Sequence, residues 1–213
     1  MIALLESLQT AFADTVQSKS ALDQAIATGL PGPRTEQWKY TSLRPLSARR
    51  FSAPLSSLAE LNAPTKEIIA AIPGPRIVFI NGIFAAEHSS LSDLPQGITV
   101  QSNHRHSPKD DARFVLAHDI FAKLNTAIAR QGLQIQVADD VDAGATLHAV
   151  FVSANTGQDL AIHYRHGIEL GNNAKLDLIE HHLSQDSQQH LVNTLSDISL
   201  QDGAHLAHAR IQL

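Results

Sequence analysis

Short runs of alternating apolar and polar residues recur at a regular interval in the last third of the chain. Three similar triplets begin at Ala145, Ala174 and Ala204, at intervals of 29 (174 − 145) and 30 (204 − 174) residues, and each follows a polar turn. Apolar runs precede the turns at residues 137–141, 168–170 and 198–200 and follow them at 147–152, 176–179 and 206–213. Repetition at this interval is typical of a solenoid.

The period of these runs indicates strands and not helices. Apolar residues at every second position mark a strand with one buried face, and no 3.6-residue period runs through this part of the chain. The sequence therefore predicts a mixed α and β protein. Residues 1–132 are expected to form an N-terminal helical domain with a small β-hairpin element, and residues 133–213 the first rungs of a parallel β-helix.

The repeats also predict which residues meet between rungs. The fourth residue after the leucine of each triplet is Phe151, Glu180 or Arg210. Since neighbouring strands lie about 4.8 Å apart, Glu180 and Arg210 are expected to be stacked neighbours of opposite charge. Such a pair contributes only about 0.2–1 kcal/mol if it is exposed.

The first part of the chain has a helical pattern. Leu5, Leu8, Phe12 and Val16 recur at intervals of three or four residues and form one apolar stripe. A second capped start, with Ser20 at its N-cap, leads to Gly29, and the prolines that follow end the helical pattern. The sequence predicts a helix or helix pair here.

Three further elements are predicted between the helices and the repeats. Asn81-Gly82 supplies the positive φ angles of a two-residue turn between apolar runs at 77–80 and 83–84, which predicts a hairpin. A third strand is expected at 98–101. A short helix at 64–72 is expected to turn its isoleucines (Ile68, Ile69 and Ile72) inward.

The clearest helical pattern in the chain starts at Ser107-Pro108. Serine suits the N-cap, proline the first helical position, and two aspartates follow in the first turn. The apolar positions then keep intervals of three and four residues as far as Gly132 (Phe114, Ala117, Phe121, Leu124 and Ile128). We expect this helix to cover the open first rung, because repeat arrays need a cap at their ends.

Trp38 and Tyr40 lie in a basic segment. Between Arg34 and Arg50, five basic residues stand against one acidic residue. A basic segment with aromatic side chains can bind nucleic acid. We favour the structural alternative, in which both aromatic side chains anchor the segment on the body of the protein while the cations stay in water.

Composition restricts the function further. The formal net charge of −5 gives no general attraction to nucleic acid or anionic membranes, and there is no cysteine for a disulfide or a thiolate ligand. Neither a signal peptide nor an apolar run of membrane-spanning length is recognisable. The sequence therefore predicts a cytosolic protein that holds no metal or cofactor by itself.

Histidines are concentrated in the repeats, with eight of the twelve between His148 and His208. Adjacent residues of a strand point to opposite faces, so a pair such as His181 and His182 does not readily share one ion. No carboxylate accompanies the pairs at a useful spacing. We favour structural or solvated histidines over a metal site. The pairs considered are His163 with His166, His181 with His182, and His205 with His208.

Four charged residues are expected on the outward face of the rungs: Arg165, Asp177, Glu180 and Arg210. β-Helix enzymes that act on polysaccharides carry such side chains, and a carboxylate near cations can perform acid–base chemistry. A solvated face with pairs between rungs is the favoured alternative. Since no phosphate-binding loop and no nucleophile–base pair is recognisable, no catalytic residue is assigned and we expect no enzyme.

Several short motifs resemble a known family, and they occur in that family's order. They are R-x-E-x-W-K-Y-T-x-L at 34–43, the strand and turn at 77–82, L-S-x-L-P-x-G-I at 91–98, L-N-x-A at 124–127, I-E-H at 179–181 and A-H-L at 204–206. The chain resembles the amino-terminal portion of SufD proteins in the SufB/SufD family, which are non-catalytic scaffolds of the Suf system for iron–sulfur cluster assembly.

This resemblance implies both a fold and partners. It implies a helical N-terminal domain, a right-handed parallel β-helix and a C-terminal helical domain. The implied partners are the scaffold SufB and the ATPase SufC, which docks on the C-terminal domain. Because family members are longer, we expect that this chain lacks that domain, and that it binds neither SufC nor a cluster alone. No cluster-binding residue is transferred to it.

Two functions of different classes remain open. One is a non-catalytic scaffold component of iron–sulfur cluster assembly, and the alternative is a β-helix polysaccharide hydrolase or lyase with a charged rung face. Paired carboxylates on adjacent rungs would favour the enzyme. The last strand alternates over 209–213 with no rung after it, so we expect self-association through the open β-helix end. Nucleic acid and membranes are not expected as partners.

Overall fold

Two sheets built from alternate strands form the centre of the computed structural model, which describes residues 2–103 and 119–213. One sheet has the order β2-β1-β5-β7-β9 and the other β3-β4-β6-β8. The end strands β2 and β3 are antiparallel to their neighbours, and all other neighbours are parallel. The strands are β1 (Arg76–Ile80), β2 (Ile83–Phe84), β3 (Ile98–Asn103), β4 (Gln131–Val137), β5 (Asp142–Ser153), β6 (Ala161–Leu170), β7 (Lys175–Ser184), β8 (Leu191–Leu200) and β9 (His205–Gln212).

An apolar core fills the space between the two sheets. From β4 onward the chain alternates between the two sheets, and from β6 onward each strand lies beside the one two before it. Side chains from both sheets meet in this core, among them Phe79, Leu133, Leu147, Tyr164 and Leu176. A mixed α and β protein with parallel sheets is therefore confirmed. The boundary at residue 132 stays a prediction, and strands on both sides of it share both sheets.

The predicted repeat is confirmed in its strands and partly in its register. The runs at 168–170 and 198–200 end β6 and β8, and the runs after the turns lie in β5, β7 and β9. Of the first run, 137–141, only Val137 lies in a strand, at the end of β4. Glu180 is opposite Arg210, as predicted. Phe151 is opposite His182 and not Glu180, so the first interval was wrong. The cause is a bulge after Asp142, where Gly144 has a φ of 60°, so that β5 has extra residues there.

The hairpin and the third strand are confirmed. Asn81 and Gly82 have φ angles of 47° and 87° and join β1 to β2. The Asn81 side chain also donates to the carbonyl of Ala154 at 2.8 Å and accepts from the Ala154 N–H at 2.8 Å. This turn is thereby fixed to the end of the neighbouring strand β5.

Five α-helices lie outside the sheets in the described residues: α1 (Ala3–Ala11), α2 (Lys19–Thr28), α3 (Arg44–Ser47), α4 (Ala63–Ala71) and α5 (Ile120–Ile128). Two 3-10 helices, Glu36–Trp38 and Ala86–His88, complete the helical elements there. The predicted N-terminal helix pair is α1 and α2, which share an apolar core with α5. Ser18, and not Ser20, is the N-cap of α2, accepting from the Ala21 N–H at 3.2 Å.

The structure places α5 on the outer face of the second sheet. Asn125 donates to the carbonyls of Tyr164 on β6 and Asn193 on β8 at 2.8 and 3.0 Å. The first rung is β4 and β5, and it is β3 and β1 that lie beside these two strands. The described part of the helix instead contacts β6 and β8, so the predicted cap was wrong. The predicted start of the helix lies outside the described residues, and Gly132 lies within β4.

Two predictions about exposed side chains need correction. On α4, Ile69 and Ile72 are buried as predicted, but Ile68 is 47% exposed because a nine-residue helix turns only one narrow face to the sheet.

Trp38 is half-buried, with its ring 5.4 Å from the Phe121 ring. Tyr40 is 92% exposed and anchors nothing. The tight helical turn around Trp38 directs side chains two positions apart away from each other.

Candidate functional site

Glu180 is a charged residue inside the core. It lies on β7, where Leu176 and Leu178 occupy the two preceding inward positions, so the alternation of the strand directs its side chain between the sheets. Glu180 is only 1% exposed. Burial of an unpaired carboxylate costs several kcal/mol, so its charge state depends on its partners.

Three side chains surround the Glu180 carboxylate, and we call the four residues together the inner polar cluster. On β7, His182 has Nε2 2.9 Å from Oε2. On β9, His208 has Nε2 2.9 Å from Oε1. Arg210 has Nε and Nη2 at 2.9 and 2.8 Å from Oε2. Both carboxylate oxygens are therefore engaged.

The inner polar cluster keeps the carboxylate ionised. Burial raises the pKa of Glu180, but the hydrogen bond from His182 and the charges of His166, Arg210 and His208 outweigh burial and lower it to about 2. At neutral pH the arginine supplies the permanent positive charge. Glu180 is therefore an anion in the core throughout the neutral range.

His166 faces the cluster from the opposite sheet. It is 1% exposed, and its Nδ1 accepts the N–H of Leu133 at 2.9 Å, so the proton of the neutral ring is on Nε2. Burial lowers the pKa of His166 to about 4, although the charge of Glu180 acts in the opposite direction. Among the described residues, Nε2 has no hydrogen-bond partner. His166 is therefore a neutral donor enclosed in the core.

Aromatic rings form a layer beside the cluster. The Phe151 ring lies 4.8 Å from the Tyr164 ring and 5.0 Å from the His182 ring, and Phe79 stacks on it at 5.4 Å. Tyr164 Oη accepts the N–H of Gly82 at 2.9 Å, and burial raises the pKa of its hydroxyl. The layer connects the cluster to the hairpin turn.

A cavity of about 700 Å³ adjoins the inner polar cluster. Its walls include His182 and Arg210 from the cluster and Phe151 from the aromatic layer. Asn193 and Trp38 line it on the side of the second sheet. The cavity thus joins a buried charged group to the N-terminal segment.

Three other histidines of the repeats, His148, His163 and His181, lie on the outer faces of the sheets and make structural contacts. His148 Nδ1 lies 2.9 Å from His181 Nε2 on the outer face of the first sheet, and burial lowers the pKa of both rings. His163 lies under α5, where its Nδ1 is 3.1 Å from the Asn193 amide nitrogen. His181 and His182 therefore point to opposite faces, as predicted.

Two absences hold for residues 2–103 and 119–213. No group of three or more His, Cys, Asp or Glu side chains there is arranged to hold a metal ion. No helix in that part of the chain is long and apolar enough to cross a membrane.

Comparison with known proteins identifies the family. Residues 4–148 match the family described as the SufBD protein N-terminal region. The chain belongs to the SufBD family. The match spans both N-terminal helices, the hairpin and most of the first pair of long strands.

Two curated proteins are similar over nearly the whole chain. It is 26% identical over 201 residues to the iron-sulfur cluster assembly protein SufD of Escherichia coli (strain K12), covering 92% of this chain and 45% of that protein. It is 25% identical over 209 residues to an iron-sulfur cluster assembly SufBD family protein of Synechocystis sp. (strain ATCC 27184 / PCC 6803 / Kazusa), covering 91% and 46%. The chain spans about half the length of the curated relatives it matches.

In this SufBD member the four charged candidates do not share a face. Asp177 is exposed on the outer face of β7. Arg165 is 1% exposed beneath α5, with Nε 2.8 Å from Asp197 Oδ2. Glu180 and Arg210 lie between the sheets, so their predicted outward direction was wrong. The register between Glu180 and Arg210 was counted correctly, but these two side chains were assigned to the wrong face.

Sequence reasoning missed the two histidines of the inner polar cluster. The signal was present in strand parity, because His182 is two residues after Glu180, and His208 is two before Arg210. Once Glu180 and Arg210 are opposite each other, both histidines share their face.

Proposed function

We propose that this chain is a non-catalytic scaffold component of iron–sulfur cluster assembly, similar to SufD. The match of residues 4–148 to the SufBD N-terminal region carries the proposal. Similarity to the SufD protein of E. coli over 92% of this chain supports it. In this function the cluster is cargo, and the chain contributes structure and contacts.

The chemistry of the inner polar cluster argues for a scaffold over an enzyme. A general acid needs a pKa near the working pH, whereas the pKa of Glu180 is lowered to about 2. Asp177 lies on the opposite face of β7, so the two carboxylates do not form a pair across a cleft. The polysaccharide hydrolase or lyase is therefore not favoured.

The proposal includes the finer fold and the partners. We propose that the strands wind as a right-handed parallel β-helix, since about 98% of parallel crossovers are right-handed. From the resemblance of the sequence motifs, SufB and SufC are the proposed members of the same assembly in the cytosol. Direct contact of this chain is proposed with SufB and not with SufC. Strands β8 and β9 lie at the ends of the two sheets in the described residues, and we propose that the chain self-associates there.

Deletion of the gene in its native host tests the function. The expected result is a loss of activity in iron–sulfur enzymes such as aconitase, strongest under iron limitation, and its recovery when the gene is restored. Malate dehydrogenase, which has no cluster, is the control and should keep its activity. Unchanged aconitase activity under iron limitation in the deletion strain would contradict the proposal.

A further inference from the structure

Tyr40 has the highest exposed fraction among the large hydrophobic side chains of the described residues, at 92%. Lys39 Nζ lies 5.2 Å from the centre of its ring. Trp38, by contrast, is packed against Phe121. A tyrosine is costly to leave in water yet well suited to contact a partner, because its ring is apolar and its hydroxyl polar. In this segment the Trp38 side chain is therefore packed against the protein, whereas the Tyr40 side chain is exposed and available to a partner.

Tyr40 lines a groove of about 360 Å³, which we call the N-terminal groove. Its apolar walls include Leu30, Pro31, Pro33 and Leu43. Proline restricts the backbone, so much of the groove is preformed and little entropy is lost on binding. The volume is near the lower end of the range of about 300–1,000 Å³ for ligand sites. It suits one or two side chains of a peptide.

The groove also has cations without an anionic partner. Lys39 and Arg44 line it, and Arg34 lies in the same segment. Within residues 2–103 and 119–213, no carboxylate forms an ion pair with any of these three cations. All three are exposed. They are therefore free to pair with carboxylates from outside.

The other cations of the segment are already engaged. Arg49 pairs with Asp159, and Arg50 Nη2 lies 3.2 Å from Glu6 Oε2. Nucleic acid binding relies on many phosphate contacts, and the net charge of −5 opposes a long polyanion. A short peptide needs only one or two carboxylates, which fits the remaining cations.

We propose that the N-terminal groove binds an acidic peptide segment of a partner protein. An apolar side chain of that segment fills the groove against Tyr40, and flanking carboxylates pair with Lys39 and Arg44. This contact is independent of any cluster and of the inner polar cluster, so it stands or falls separately from iron–sulfur assembly.

The sole tryptophan gives a direct readout, since Trp38 lines the groove. The probe is a fluorescein-labelled peptide of sequence DEDLFDED, and the full chain is titrated at low salt by anisotropy, while unlabelled peptide is titrated by Trp38 emission. The expected result is saturable binding with a dissociation constant below about 100 µM, weakened by added salt. The Trp38 emission should change with the same midpoint.

Two comparison peptides separate the parts of the recognition. NQNLFNQN keeps the apolar pair without the charges, and DEDSSDED keeps the charges without the apolar pair. Each is expected to bind at least tenfold more weakly. Equal binding of either one would overturn the proposal.

Variants place the binding on the groove. Tyr40→Ala and the double variant Lys39→Ala/Arg44→Ala are expected to weaken binding at least tenfold with an unchanged unfolding midpoint. Lys66→Ala, an exposed cation on α4, is the matched control and should bind like the parent. Absent peptide binding, equal weakening by Lys66→Ala, or tighter binding of single-stranded DNA or phosphatidylserine vesicles would each overturn the proposal.

Discussion

Glu180 and Arg210 lie opposite each other on the parallel strands β7 and β9, with Arg210 Nε and Nη2 both within 2.9 Å of Glu180 Oε2. The two partners differ in exposure, because the Glu180 side chain is 2% exposed and the Arg210 side chain is 50% exposed. The pair therefore runs from the core to the surface. Loss of the anion and loss of the cation should have unequal costs.

Glu180→Ala is expected to lower the free energy of unfolding by about 3 kcal/mol, since it leaves three donors in or near the core without their acceptor. Arg210→Ala is expected to cost only about 1 kcal/mol, because His182 and His208 still donate to the carboxylate. Urea unfolding followed by Trp38 fluorescence measures both. Equal losses would contradict the prediction that the buried anion and the half-exposed cation contribute unequally to stability.

The stability of the protein should fall as the pH is lowered, in two steps. The pKa values of His163 and His166 are lowered by burial from 6.5 to about 4, so the unfolded chain binds protons that the folded chain does not, and stability is lost between about pH 6.5 and 4. The pKa of Glu180 is lowered from 4.5 to about 2, so this group adds a second loss of stability between about pH 4.5 and 2. Each shift corresponds to roughly 3 kcal/mol.

Thermal unfolding midpoints at a series of pH values test this dependence. The control is His166→Asn, whose side-chain oxygen can replace Nδ1 as the acceptor for the Leu133 N–H but does not titrate. It should reduce the slope between pH 6.5 and 4. The lower step should remain but become smaller, because the charge of His166 contributes to the lowered pKa of Glu180. A parent slope that persists in the variant would exclude His166 as its source.

Asp197→Ala is expected to destabilise the protein by about 3–5 kcal/mol, because it removes a carboxylate that lies 2.8 Å from the buried guanidinium of Arg165. The exposed pair of Lys175 and Asp142 gives the control, and Lys175→Ala should cost less than about 1 kcal/mol. Chemical unfolding of both variants measures the free energy of unfolding and so compares the buried ion pair with the exposed one. Similar small losses would mean that Asp197 does not compensate the buried charge.

Gly132→Ala is expected to cost at least about 3 kcal/mol or to prevent folding, since a Cβ at this position would overlap the backbone carbonyl of Arg165 on the paired strand. Gly32→Ala is the matched control, because a Cβ there meets no atom within 4 Å. Circular dichroism and unfolding midpoints compare the two. Tolerance of alanine at 132 would contradict the close approach of β4 and β6.

Anaerobic reconstitution of the chain alone with iron and sulfide is expected to give no stable visible chromophore, because the sequence contains no cysteine thiolate. Absorbance after desalting is the measurement. A cysteine-ligated ferredoxin treated in parallel shows that the procedure works. A retained chromophore on this chain would overturn the expectation and indicate histidine or carboxylate ligands.

Local chemistry made much of the fold predictable. The Asn81-Gly82 pair favours a two-residue hairpin turn, and the alternating runs of the repeats favour β-strands. Tertiary packing decided the remainder. The bulge at Gly144 shifted the first register, and Asn125 tied α5 to the carbonyls of a sheet face where a cap on the first rung had been expected.

The inner polar cluster was predictable only in part, for a related reason. Counting along the repeats pairs Glu180 with Arg210, but counting does not show which face is inside. From sequence alone a carboxylate side chain is expected to be exposed to solvent, since its burial is favourable only when several hydrogen-bond donors surround it. That convergence depends on His182 and His208 sharing the face, which becomes visible once the strands are paired.

The pairing of β1 with β5 has a consequence for how the chain forms during synthesis. Arg76 is opposite His148, so 72 residues (148 − 76) must follow Arg76 from the ribosome before its partner is made. At 5–20 residues per second this takes roughly 4–14 s. Until then the β1–β2 hairpin is a two-stranded unit of marginal stability, with one apolar edge open to other nascent chains. Ala154 is synthesised after the strand that pairs with β1, so its two hydrogen bonds with Asn81 are the last to form along this edge. They fix the hairpin to β5 only once both strands have been made.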